Sequence, residues 1–299
     1  MDVILGSGIT GCLAKEILGW RIIPFKRSRY FVFDTPWADN YFQIHDEIDP
    51  IISRLFPVNQ RLIIKNSYSF KGELYDTNDE LKEMYLEKIY GNDVPGHASS
   101  AIRTIMTTYD IEVSELYKLL NAKYLEEINE SIKTSGELVG IDLDNKVLKC
   151  SKKDVSFDRV VSTIPLDALY KYCNIDHDLV SKGVYFYHIN TDKIDLEGSS
   201  GCYVCDPDID FFKVYNVGEN DFVFCSLDLI NNPLRYFGMF LGYNFDIVEV
   251  KHINGALPVG DIPNVDYLKS RGIHCIGSNA RWDDFEDLSS SILNILKIT

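Results

Sequence analysis

The chain has 299 residues, 45 % apolar and 25 % charged, values of an ordinary globular protein that exclude disorder, collagen-like repeats and low complexity. Thirty Lys and Arg against 45 Asp and Glu give a formal charge of −15, which argues against an extended nucleic-acid footprint or an anionic membrane patch. Seven scattered cysteines read as reduced, buried thiols of a cytoplasmic protein, and neither a signal peptide nor an apolar run of the roughly 18 residues needed to span a membrane is expected.

The first residues are the most informative. Met1 to Leu5 is a short apolar run, as expected of a strand buried on both faces of a parallel sheet. Gly6-Ser7-Gly8-Ile9-Thr10-Gly11 follows at once, then a short helix over Cys12 to Leu18 and a second strand over Arg21 to Phe25. Next come a loop rich in aromatics and carboxylates and a short helix from Asp49 to Leu55. Helical spacing returns over Asn78 to Tyr90, with Asn78 or Asp79 as cap, and over Ser114 to Ile132.

Beyond residue 136 strands dominate. Glu137 to Leu143 and Lys146 to Cys150 flank a hairpin turn at Asp144-Asn145, and Arg159 to Ile164 is a buried strand stopped by Pro165. Val184 to Ile189, Cys202 to Cys205, Phe211 to Val217, Phe222 to Leu227 and Phe245 to Lys251 read as a mixed sheet. A last strand covers Gly272 to Ile276 and a last helix Asp287 to Lys297.

Strand, glycine turn, helix and strand form the context in which a G-x-G-x-x-G run binds a dinucleotide. The first glycine permits a tight turn, the second lets backbone N–H groups approach the pyrophosphate, and the third lets helix and strand pack closely. Gly6, Gly8 and Gly11 fit those roles, with Ser7, Ile9 and Thr10 between them. The acidic residue that normally ends the second strand and binds the ribose is absent; Lys26 and Arg27 stand there. Either they meet a 2′-phosphate, or backbone and apolar contacts hold the adenosine end.

Other constellations are weaker. Cys202-Tyr203-Val204-Cys205 has redox or zinc spacing, but no second pair follows, so structural thiols and no metal are expected. His45 and His252 are candidate proton carriers, with a packed or surface histidine as the competing reading. No Gly-x-Ser-x-Gly elbow, His-Glu-x-x-His or Walker loop supports hydrolase or phosphotransferase chemistry.

Three segments together resemble the FAD-dependent flavoproteins of the amine oxidase, protoporphyrinogen oxidase and UDP-galactopyranose mutase group. Val3 to Gly11 resembles their FAD pyrophosphate loop. Phe157 to Leu166 is similar to the strand returning to their nucleotide domain, which ends in a Thr-x-Pro-like turn. Pro258-Val259 and Ile273 to Ser289 are similar to the flavin-binding end of the mutase-like branch. The resemblance implies FAD held by the glycine loop and by Gly277, Ser278, Asp287, Leu288 and Ser289. The helix beginning near Asp287 would point N–H groups at the flavin's N1–C2=O edge, and Arg281 stands two places beyond the family's basic residue, whose position holds Asn279. The family's second glycine-rich segment is replaced by Ser28-Arg29-Tyr30-Phe31. Phe285 stands where a mutase would carry a tyrosine, which speaks against sugar-nucleotide ring contraction.

The expected fold is α/β, a Rossmann-type FAD-binding domain (1–35, 136–180 and 251–299) with a reduced, discontinuous substrate region of mixed sheet and helices (36–135 and 181–250). The expected activity is oxidation of a C–N bond in an amine or amino-acid-like small molecule by hydride transfer to FAD, with His45, His252 and Arg281 as catalytic candidates. A non-redox flavin-dependent mutase or lyase, an NAD(P)-dependent dehydrogenase and a non-catalytic nucleotide binder are the alternatives.

Overall fold

The computed structural model describes residues 1–25, 49–55, 61–96, 98, 102, 104–109, 113–281 and 288–298. In chain order the elements begin with β1 (Val3–Leu5), α1 (Ile9–Leu18), β2 (Arg21–Ile23), α2 (Asp49–Leu55), β3 (Arg61–Phe70), β4 (Glu73–Tyr75), α3 (Asp79–Tyr90) and β5 (Ile105–Tyr109). They continue with α4 (Val113–Thr134), β6 (Leu138–Asp142), β7 (Val147–Cys150), β8 (Val155–Ser156), β9 (Val160–Ser162), α5 (Leu166–Cys173), β10 (Val180–Asn190) and β11 (Gly201–Val204). The remainder are β12 (Phe211–Gly218), β13 (Asp221–Ser226), α6 (Pro233–Leu241), β14 (Asp246–Val259), α7 (Asp266–Ser270), β15 (Ile273–Cys275), α8 (Ser278–Arg281) and α9 (Leu288–Leu296). The chain divides into two units: Met1–Arg61, Thr108–Leu179 and Ile262–Thr299 form the first, Leu62–Thr107 and Val180–Asp261 the second.

The first unit is built on a four-stranded parallel sheet in the order β15-β9-β1-β2. Its strands are only three residues long, yet all three residues of β1 and of β9 are buried, as both faces are covered. On one face Ile4, Ile22 and Val161 pack with Ala14 of α1, Ile128 of α4 and Ile295 of α9. On the other, Val3, Leu5, Ile23 and Val160 pack with Leu138, Ile141, Leu148 and Val155 of the three-stranded β6-β7-β8 sheet and with Leu166 and Leu169 of α5. Alternation along each strand therefore supplies both layers. Arg159 ties the ends of the chain together: it donates to Asp2 Oδ2 (2.7 Å) and to the Ile298 carbonyl (2.9 Å), and lies over the Trp20 ring.

The division differs from the sequence expectation in three places. Helix α2 belongs to the first unit, where Ile51 packs against the cluster of Ile9, Cys12 and Leu116. Residues 108–135 belong to the first unit, because α4 buries Leu116, Tyr117 and Leu120 against Ile9, Cys12 and Leu13 of α1. Glu127 of α4 also accepts from the Lys15 ammonium (2.9 Å) and the Ile22 N–H (3.4 Å). Residues 251–261 belong to the second unit, because β14 runs on past Lys251 and stays paired with β10 as far as Val259. Asn254-Gly255 and Pro258 read as strand breakers, but a strand at the edge of a sheet tolerates both.

The second unit carries a mixed sheet in the order β14-β10-β13-β12-β11-β3-β4, with β5 beside β3. All pairings along that path are antiparallel except β11 with β3. Helix α6 starts at an Asn232 cap followed by Pro233, and seats Phe237 among Tyr187, Phe211 and Phe224 at ring separations of 5.5, 6.1 and 4.9 Å. Helix α3, capped by Asn78 as expected, brings Tyr85 onto Tyr203 (4.9 Å).

From α3, Lys88 donates to the carbonyls of Val204 (3.1 Å), Asp206 (2.6 Å) and Phe211 (2.9 Å), so all three ammonium protons hold the turn between β11 and β12. Burial lowers its pKa to about 8 against the opposing pull of Asp206. Lys88→Met keeps the alkyl stem but strands three carbonyls. The expected cost is about 2–4 kcal/mol, read as a lower urea midpoint at unchanged m; a midpoint within error of the parent would show that the turn does not need this cation.

Candidate nucleotide site

The site forms where the parallel sheet changes direction: the chain leaves β1 toward β2 on one side and later returns to β9 on the other. In open α/β sheets ligands bind at the carboxyl ends of the strands at such a point. There the loop Gly6–Gly8 leads from β1 into α1, and the turn Thr163-Ile164-Pro165 leaves β9.

Each glycine of the loop has a distinct steric setting. Gly6 has φ +110°, and a Cβ there would lie 2.4 Å from Thr163 Oγ1. Its N–H donates to the Ile23 carbonyl (2.9 Å), while the Leu5 carbonyl accepts from both the Thr163 N–H (2.9 Å) and hydroxyl (3.1 Å). A Cβ on Gly11 would stand 2.2 Å from the Gly6 carbonyl oxygen, so the helix reaches the strand only because that atom is missing. Gly8 is the opposite case: it has ordinary extended backbone (φ −70°, ψ −177°), and among the described residues nothing lies within 4 Å of where its Cβ would be. Two glycines serve close packing; the middle one leaves open space.

That space faces the start of a helix. Gly8 is the N-cap of α1, no side chain caps it, and the first turn holds no acidic residue. The helical ladder begins with Cys12 N–H to the Gly8 carbonyl (2.9 Å), which leaves the N–H groups of the first turn without intrahelical partners. They and the helix dipole favour an anion there.

The C-terminal segment reaches the same place. After β15 the chain turns at Gly277 (φ +98°), and a Cβ there would meet the Thr10 side chain at 3.3 Å. The Arg281 N–H donates to the Gly277 carbonyl (2.9 Å), closing the short helix α8. Leu288 of α9 packs with Ile9, Cys12 and Leu13, and Ser289 is fully buried. The structure thus brings Gly277 and Leu288 to the first turn of α1, beside Gly6 to Gly11, with Ser278 and Ser289 next to them in the chain. Lys26, Arg27, His45 and Asp287 lie outside the described residues.

His252 belongs to the second unit. It is exposed on β14, stacked on Tyr185 (centroids 4.1 Å apart, planes at 12°), and fills the space that a side chain on Gly183 would need. Thr163 was missing from the candidate site residues; its Thr-x-Pro context was the available signal, and its contact with Gly6 makes it part of the loop. Cys202 and Cys205 are both buried without a disulfide, and burial raises each thiol to about 12, so neither is a ready nucleophile. Among the described residues no cluster of His, Cys, Asp and Glu could hold a metal, and no helix is long and apolar enough to cross a membrane.

The residues present fit the diphosphate of a dinucleotide: an uncapped helix start, a middle glycine open to space, and a second glycine turn docked beside it. No family profile matches the chain, and no curated protein matches it by sequence. Solved structures do match by fold. Reduced UDP-galactopyranose mutase superposes with TM-score 0.69 at 13 % identity, covering 99 % of this chain and 92 % of that one. A putrescine oxidase variant gives 0.58 at 11 % identity, with 99 % and 97 % covered. Aklavinone-11 hydroxylase, solved with FAD and aklavinone, gives 0.55 at 10 % identity, with 99 % and 61 % covered. The chain therefore shares the mixed α/β fold of these three proteins, one of them solved with FAD.

Proposed function

We propose that this chain is a flavoenzyme that holds FAD without a covalent link and oxidises a C–N bond of an amine or amino-acid-like substrate, the hydride leaving the carbon that bears the nitrogen, with dioxygen as oxidant. The observation that carries the FAD reading is Gly8, whose open side faces an uncapped helix start while the Gly277 turn packs on the same helix turn. When bound, the flavin supplies a two-electron acceptor; positioning falls to the chain. The N–H groups of the first turn of α1 orient the diphosphate, Gly6 and Gly11 keep that turn against the sheet, and Thr163 braces Gly6. Leu288 and Ser289 would hold the ring end of the cofactor through the start of α9, Arg281 would supply positive charge to it, and His45 and His252 are the proton carriers to test.

The mutase likeness, with the highest TM-score of the three comparisons, favours a second reading in which the flavin is used without net redox change. An absorbance scan of fresh protein, with FAD released by heat, tests the common part. Anaerobic bleaching by a panel of amines and amino acids supports the oxidase reading; a yellow protein that no such compound bleaches favours the second. Colourless protein that binds NADPH and refuses FAD would overturn both.

A further inference from the structure

The sheet of the second unit has one long edge: among the described residues β14 hydrogen-bonds to β10 alone. Exposed edges are templates for pairing with another chain, and proteins usually blunt them with short strands, prolines or charges. Here the strand runs for 14 residues with bulges at 247–249 and 253–257; between them Glu249 to Ile253 pairs regularly with β10, the proline comes only near the end, and Val248 (56 %) and Val250 (43 %) are exposed. Helix α6 lies over the same sheet face, since Val250 pairs with Tyr187 and Tyr187 packs on Phe237. It adds the exposed side chains of Leu234, Met239 and Phe240.

The charges of this strand choose the occupant. Glu249 and Lys251 flank Val250 on one face and touch within the strand (3.3 Å). An antiparallel copy related by a two-fold axis at Val250 sets Glu249 opposite Lys251 of the second copy, and Lys251 opposite its Glu249. The same register sets Val250 on Val250, within the stretch of β14 that lies between its two bulges. Moving the axis to Glu249 or Lys251 puts like charges directly opposite each other, which is unfavourable across strands. One register is thus favoured and its neighbours penalised. In a chain of net charge −15, the stretch from Asp246 to Asn254 carries Asp246 and Glu249 against Lys251, a single net negative charge, which lowers the local repulsion between two copies.

From this self-complementary edge we infer that the protein forms an isologous dimer by antiparallel β14–β14 pairing centred on Val250. An isologous interface requires each residue to meet its own symmetry equivalent or exchange partners pairwise, as these do. The inference is independent of the flavoenzyme reading and would stand or fall without it.

Sedimentation equilibrium of the full chain over a concentration series tests it. The expected result is a monomer–dimer equilibrium. Glu249→Lys alone and Lys251→Glu alone should each weaken the dimer by about tenfold or more, since two ion pairs become two repulsions. The double swap should restore it to within about threefold of the parent. Val250→Pro should also weaken the pairing, by removing a main-chain donor at the axis; the exposed charge swaps keep the test decisive if that variant fails to fold. A monomer at all concentrations, a dimer indifferent to the single swaps, or a double swap without rescue would each overturn the inference.

Discussion

Gly8→Glu is expected to abolish FAD uptake, by at least about a hundredfold in affinity, while the melting temperature of the cofactor-free protein stays within a degree or two of the parent. The position makes this separation possible. Among the described residues nothing lies within 4 Å of a Cβ at Gly8, and its φ of −70° suits any residue, so a side chain can branch there without displacing the loop. A carboxylate at a helix N-terminus is favourable by about 0.3–1 kcal/mol, so α1 itself gains slightly. That carboxylate would occupy the place and the sign of charge proposed for the diphosphate. Gly11→Val supplies the contrast: its Cβ would stand 2.2 Å from the Gly6 carbonyl, so helix and strand must part and the fold itself should suffer by about 3 kcal/mol or more. Isothermal titration with FAD beside thermal melts separates the two outcomes. Normal FAD binding by Gly8→Glu would remove the loop from the site.

Stability should fall steeply above pH 9, with the midpoint of urea unfolding dropping between pH 9 and 10.5. Burial raises the thiols of Cys12, Cys173, Cys202, Cys205 and Cys225 to about 12, against 9.0 for an ordinary thiol. The native state then keeps protons that the unfolded chain releases, so stability is intact below pH 9 and is lost as the pH climbs toward 12. After allowance for solvent screening, each thiol contributes about 1 kcal/mol per pH unit above 9. Five such groups compete with a total stability of about 5–15 kcal/mol. Lys88 acts in the opposite sense, because its pKa of about 8 lies below the ordinary 10.5 and its burial cost is relieved as the pH rises. One lysine does not offset five thiols. A urea midpoint that holds steady from pH 8.5 to 10.5 would contradict the buried-thiol account; slow labelling of native thiols at pH 8, complete in urea, is its companion observation.

Much of the first unit was legible in the chain, for local reasons. Strands buried on both faces read as continuous apolar runs, as β1 and the Val160-Val161 pair of β9 do, whereas β15 carries the half-buried His274 in its middle. A loop with glycines at 6, 8 and 11 allows few alternatives once a strand precedes it. The helix α1 nevertheless starts at Ile9, three residues before the apolar stretch suggested, because the N-cap is the middle glycine and offers no polar side chain as a signal. The C-terminal helix was read nearly as it stands, Leu288–Leu296.

The second unit was less legible. β3, β4, β5 and α6 are not predicted: Arg61 to Phe70 mixes polar and apolar residues without clean alternation, and the amphipathic period of Pro233 to Leu241 spans only nine residues that open on Asn232-Pro233 and include Gly238, residues that read as a turn. Here long-range pairing overrides local preference.

By itself the sequence determined the chemistry of the two ends: a glycine loop suited to a diphosphate at the start, and a glycine turn with a short apolar helix at the finish. It also determined the absence of a carboxylate at the end of the second strand. Only the tertiary structure decided that these ends meet, that Gly277 abuts Thr10, that Thr163 braces Gly6, and that α4 belongs with the parallel sheet. It alone decided that β14 is an edge. The reason is that a strand's spacing records which faces are buried but not which strand lies beside it, and neighbours in space are selected by packing across more than a hundred residues of intervening chain.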